Sequence, residues 1–141
     1  MLRQWNYHRP ECCIIISNDL TMHNKVKLAI LGISYSQIHQ NAYALILAEV
    51  DGKRRIPVVI GPSEAQSIAL KIENVTPPRP LSHDLIVSFM RAFGVSLQEV
   101  LIHKFENGIF YSELLFNDGE RQVVLDARTS DAIAIAIRTK T

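Results

Sequence analysis

Three short turn signals constrain this chain more than any other feature. Asp51-Gly52, Asn107-Gly108 and Asn117-Asp118-Gly119 each sit between two runs rich in branched or aromatic residues. Asn, Asp and Gly reach positive φ at low cost, which a tight hairpin needs, so each signal predicts two antiparallel strands joined directly. The first three strands run over 25–33, 42–50 and 54–60, and the later three over 97–105, 109–116 and 120–125. Pro57 offers no ladder donor, which predicts that the third strand lies at a sheet edge or carries a bulge.

Between and after these blocks the apolar period changes to that of a helix. Gly61-Pro62 stops the third strand and opens a helix with Ala65, Ile68, Ala69 and Ile72 at core-facing spacing and an end near Asn74. The prolines of Thr76-Pro77-Pro78-Arg79-Pro80 exclude helix and stiffen the loop. Ser82 is the expected N-cap of a second helix, with Leu85, Ile86, Phe89, Met90 and Phe93 as its apolar stripe and Gly94 as its stop. Thr129 or Ser130 is expected to cap a third helix over Asp131–Arg138, apolar on every side and therefore buried. The order βββααβββα predicts a single α+β domain, its helices packed on a largely antiparallel or mixed sheet.

With 141 residues the chain fits one domain. Its 48% hydrophobic and 21% charged content matches a globular chain rather than a disordered one. Fifteen Lys and Arg against 14 Asp and Glu give a net charge of +1, which excludes a bulk attraction to nucleic acid or membrane and requires any phosphate affinity to be local. No apolar run is long enough to span a bilayer. The adjacent Cys12 and Cys13 form neither a disulfide framework nor a zinc spacing, so a reducing cytoplasm is the expected location. Ahead of Met22, itself a plausible start, the short run Cys12-Cys13-Ile14-Ile15-Ile16 lacks the features of an export signal, and residues 1–21 are expected to be a poorly ordered extension of the domain over 22–141.

Acidic and basic residues gather at the three helix beginnings: Gly61-Pro62-Ser63-Glu64, Arg79-Pro80-Leu81-Ser82-His83-Asp84 and Asp126-Ala127-Arg128-Thr129-Ser130-Asp131. Helix starts carry unpaired N–H groups and a partial positive charge, which suit phosphate. If the three ends meet, His83, Asp84, Asp126 and Asp131 are the candidate acids and bases. His83 is the best proton-transfer group because its reference pKa is ~6.5. Arg79, Arg128 and Ser130 are the candidate phosphate-binding groups, and Glu64, Asp84 and Asp131 the candidate metal ligands. The same acids also suit first helical turns for purely structural reasons, and Arg79 and Arg128 suit structural ion pairs with them. Ser34, Ser36 and Ser63 have no base at motif spacing, which argues against serine-hydrolase chemistry. Lys53-Arg54-Arg55, His103 and Asp118 read as solvated or structural, and His8, His23 and His39 carry no assigned role.

Three ordered stretches, Ile60–Ala69, Pro77–Leu85 and Asp126–Ala134, resemble the signature blocks of the bifunctional nuclease family. The likeness runs from about Lys25 to the C-terminus. It implies hydrolysis of phosphodiester bonds in DNA and RNA as substrates, for which a divalent ion such as Mg²⁺ or Mn²⁺ is the expected aid. Relatives usually continue past the last helix, so the domain is expected to stop short of the family's usual end. Two readings stay open beside the nuclease. One is a non-catalytic binding or regulatory module for a phosphorylated ligand or protein partner. The other makes the polar blocks a homo-oligomer interface.

Overall fold

A computed structural model describes residues 13–17, 25–35 and 41–139. Seven strands and three helices follow in the order β1 (Cys13–Ser17), β2 (Lys25–Tyr35), β3 (Tyr43–Glu49), β4 (Arg55–Ile60), α1 (Pro62–Ile72), α2 (Ser82–Ala92), β5 (Ser96–Glu106), β6 (Ile109–Asn117), β7 (Gln122–Arg128) and α3 (Thr129–Ala136). The strands form one mixed sheet in the order β4-β3-β2-β1-β5-β6-β7. The α+β class is as the sequence predicts, and β4, with its Pro57, is an edge. At the β5–β6 turn Asn107 and Gly108 take φ of 53° and 78°, the paired positive values expected of a two-residue hairpin.

One strand corrects the sequence reading. The run expected to be part of a poorly ordered extension contains β1, which pairs antiparallel with β2 and parallel with β5. The rest of that extension, Met22 and the chain end beyond Thr139 lie outside the described residues. Ile14 sits between Leu28 and Val100 across the sheet, and all three belong to the core. Without β1 the sheet would be two separate three-stranded meanders. Ile14→Ala should therefore lower stability by about 2–5 kcal/mol, the usual loss for truncating a buried isoleucine, read by chemical denaturation.

Helix α3 lies against the sheet, with α1 and α2 packed across it. Ala132, Ile133 and Ala134 are wholly inaccessible, which explains a helix apolar on every side. Its start is two residues earlier than the sequence predicts: Arg128 is the N-cap, and Thr129 and Ser130 are the first helical residues. Thr129 is held beneath by Ser112 of β6 through hydroxyl oxygens 2.5 Å apart. Likewise Leu81, not Ser82, caps α2, and the Asp84 carboxylate accepts a hydrogen bond from the Leu81 backbone N–H at 2.9 Å.

The expected apolar stripe of α2 is also turned. Only Met90 of that set is buried, while Leu85, Ile86, Phe89 and Phe93 are 40–68% exposed. The inward face is instead His83, Val87 and Met90, at helical spacing of four and three. Polar contacts of His83 and Asp84 fix the rotation of the helix, and they outweigh the larger apolar side chains on its other flank.

Candidate functional site

The three helix starts do converge. Glu64 on the first turn of α1, His83 on the first turn of α2, and Arg128 with Asp131 at the start of α3 form one hydrogen-bonded chain. Arg128 Nη2 donates to Glu64 Oε1 at 3.0 Å and its Nε donates to Asp131 Oδ2 at 2.9 Å. The other oxygen of Asp131, Oδ1, lies 2.9 Å from His83 Nε2. His83 Nδ1 lies 2.7 Å from Ser67 Oγ, one further turn along α1. Gly61 leaves room for this arrangement, because a Cβ there would come within 2.6 Å of the Glu64 carboxylate.

A second arginine anchors the same site from below. Arg138 has only 5% of its side chain exposed and donates from Nε to Asp84 Oδ1 at 2.7 Å. Its Nη1 reaches the Ala134 carbonyl at 2.9 Å, and its Nη2 reaches both the Ser67 carbonyl and Ser67 Oγ, at 2.8 and 2.9 Å. Because Ser67 Oγ accepts from Arg138, its own proton is free for His83 Nδ1. Neutral His83 then carries its proton on Nε2 and donates it to Asp131.

Ser67, His83 and Asp131 thus share the components of a catalytic triad, but not its geometry of use. Ser67 is 4% exposed inside a helix, with its oxygen engaged by Arg138, so it orients the imidazole rather than attacking a substrate. The groups open to solvent are Arg128, with 68% of its side chain exposed, and Asp131, with 30%.

Charge pairing sets the titration of the acids. Partial burial pushes the Asp131 carboxyl up, but the hydrogen bonds from His83 and Arg128 and the Arg128 charge outweigh it and hold the group below its ordinary value. Burial likewise opposes ionisation of Asp84, and the Arg138 and Leu81 donors, with the charges of Arg138 and Lys71, bring it below its ordinary value. The hydrogen bonds that Arg128 donates to Asp131 and Glu64, with the Asp131 charge, raise the guanidinium above its ordinary value. For both aspartates the folded pKa lies under the unfolded one, so their stabilisation is present above the unfolded value and disappears as pH falls through the folded value. Thermal stability should hold through mild acid and drop below about pH 4. Asp84→Asn and Asp131→Asn should each flatten that drop in melting curves taken across the acid range.

The other sequence candidates lie apart from this chain of contacts. Asp126 is exposed on β7, opposite Glu113 of β6. Arg79 is exposed on the loop before α2 and makes no ion pair among the described residues. Ser130 is 8% exposed, turned inward on the first turn of α3. As metal donors, Glu64 and Asp131 both close on the Arg128 guanidinium while Asp84 closes on Arg138, and the described residues bring no three His, Cys, Asp or Glu side chains together around one point. The expected ligand set of Glu64, Asp84 and Asp131 therefore does not fit a shared ion in this arrangement. Sequence reasoning missed Ser67 and Arg138. Their signals were a serine on the apolar face of α1 and an arginine closing a helix apolar all round, where a charge must find a buried partner.

A family model described as a bifunctional nuclease domain matches residues 45–141. Two uncharacterized proteins of Mycobacterium tuberculosis, from strains CDC 1551 and H37Rv, are 45% identical over 112 residues, which cover 79% of this chain and 66% of theirs. A rice protein, Bifunctional nuclease 1 of Oryza sativa subsp. japonica, is 26% identical over 102 residues, covering 70% of this chain and 31% of its own. No described helix is long and apolar enough to cross a membrane.

Proposed function

The chain belongs to the bifunctional nuclease domain family, and from that premise we propose that it hydrolyses phosphodiester bonds of DNA and RNA where its three helix starts meet. The observation that carries this reading is the run Glu64–Arg128–Asp131–His83, which sets an exposed guanidinium beside a His–Asp pair. Arg128 is the phosphate-binding group: its fork matches two phosphoryl oxygens and is available to them when Glu64 and Asp131 yield one donor each. The N–H groups at the helix starts add favourable charge for the phosphate.

Asp131 is the solvent-facing end of the pair and accepts the proton of the attacking water. His83 holds the carboxylate in place by donating its Nε2 proton to Oδ1, which leaves Oδ2 to take the proton and turns Asp131 into the neutral acid. Ser67 and Arg138 keep the imidazole in the required tautomer. A divalent ion such as Mg²⁺ or Mn²⁺ is proposed only as a companion of the bound strand, since the described residues assemble no ligand set for it, and no step here is routed through it. Arg79 remains a proposal for contact with the nucleic-acid strand, as does Ser130 through its backbone N–H at the start of α3, and Asp126 remains a proposed acid or base. A cytoplasmic location is proposed with them, on the chain's cysteine usage.

Cleavage of end-labelled single-stranded DNA and RNA tests the proposal, with highly purified protein in Mg²⁺, Mn²⁺ or EDTA beside identically purified His83→Ala and Asp131→Asn. Cleavage lost in both variants supports it. Equal cleavage by all three proteins removes the site from the chemistry. Saturable phosphate binding without turnover favours the alternative of a phosphate-recognising module, to which the existing pairing of Arg128 with two carboxylates also lends itself.

A further inference from the structure

The two edges of the sheet are protected unequally. Edge strand β4 carries Pro57, which cannot donate to another strand, and opens with the exposed Arg55, preceded by the exposed Arg54. These are the usual devices against strand addition. Edge strand β7 has no proline, and from Gln122 to Leu125 no charge. Its Val123, Val124 and Leu125 are 36%, 55% and 50% exposed, so both faces of the strand present apolar surface beside a free backbone edge.

We infer that β7 is a pairing edge for β7 of a second copy of this chain, antiparallel about a two-fold axis through Val124. The pleat limits the choices. A two-fold axis perpendicular to the sheet keeps each side chain on its own face, so opposed residues must have the same parity and the axis must pass through a residue. Centring on Val123 sets Asp126 against Glu120 of the partner subunit, a like-charge pair. Centring on Leu125 sets Val124 against a carboxylate, Asp126 of the partner subunit. Centring on Val124 sets Val123 against Leu125 of the partner subunit and Gln122 against Asp126 of the partner subunit, an amide donor facing a carboxylate. It also brings Glu120, just ahead of the strand, toward Arg128 of the partner subunit. Each favourable pair occurs twice by symmetry. The same register joins the two sheets into one and carries the edge of each site to the interface, because Arg128 ends β7.

Sedimentation of the full chain at micromolar concentration tests this. The parent protein should have the mass of a dimer. Val124→Lys sets two like charges face to face on the axis, ~4.5–5.5 Å apart at Cβ, and Val124→Glu does the same with the opposite sign. Each should halve the mass while leaving circular dichroism unchanged, since residue 124 is exposed in the single chain. An equimolar mixture of the two should regain the dimer mass, with Lys opposite Glu. A monomeric parent protein overturns the inference, as does a mixture that stays monomeric. Dimers that persist in both variants also overturn it and move the interface elsewhere, the exposed Leu85, Phe89 and Phe93 face of α2 being the next candidate.

Discussion

Replacing Arg138 by methionine is expected to cost about 3–5 kcal/mol of folding stability, the range for breaking a buried ion pair from one side. The guanidinium is the one group that satisfies Asp84, the Ser67 carbonyl and hydroxyl, and the Ala134 carbonyl at once. Methionine fills much of the same volume but leaves those acceptors without their donor. Because 31% of the Asp84 side chain reaches water, its carboxylate can be partly rehydrated, and the lower end of the range is the better expectation. Denaturant unfolding at neutral pH gives the number directly, and a loss below ~1 kcal/mol would show that the pair does not hold the helices together. Adding Asp84→Leu to the methionine variant should recover part of the loss, since the stranded carboxylate is then gone. It follows that Asp84→Asn is a poor probe of chemistry, for it disturbs the packing of α2 on α3.

The largest effect on activity is expected at His83. His83→Ala should reduce cleavage by up to ~10²–10⁴-fold, the usual worth of a positioned acid–base group, because it releases Asp131, the proposed base. Asp131→Asn should fall in the same range, because an amide cannot take up the proton and its NH2 group must face one of two donors, His83 Nε2 or Arg128 Nε. The double variant should be scarcely slower than either single one, as expected of residues that act as a unit. Both sites are at helix first turns, so folding of each variant is verified by its unfolding midpoint before rates are compared. Additive losses in the double variant would mean that the two residues act separately, and a His83→Ala variant with parental rates would remove the imidazole from the reaction.

What could be read from the sequence was local. Asn107-Gly108 could be read because few residue pairs adopt two successive positive φ values, and Pro62 because its ring suits the first turn of a helix. The convergence of the helix starts could only be posed as a condition, since Arg128 and Glu64 are 64 positions apart. Strand β1 was hidden because five residues with no turn signal on either side carry no periodicity that sets strand apart from tail. The facing of α2 was misread for an energetic reason: hydropathy gives Phe89 and Phe93 more weight than His83, yet a buried hydrogen-bond chain left unsatisfied costs more than two exposed rings. Ser67 escaped notice for the same reason, as its partner Arg138 lies 71 residues away.

The position of β1 also dictates an order of events. Strands β2, β3 and β4 pair with neighbours in sequence, as do β5, β6 and β7, so each meander can assemble from short loops. The parallel pairing of Ile14 with Val100 joins the earliest described strand to one emerging only after both α1 and α2. Closing so long a loop is the entropically expensive step, and chains with such distant pairings fold slowly. On a ribosome the first meander would wait with one flank of β1 open until β5 had been made. The last described element, α3, packs against β4, β5, β6 and β7 and brings Asp131 to His83, so the site forms only once distant parts of the chain have met.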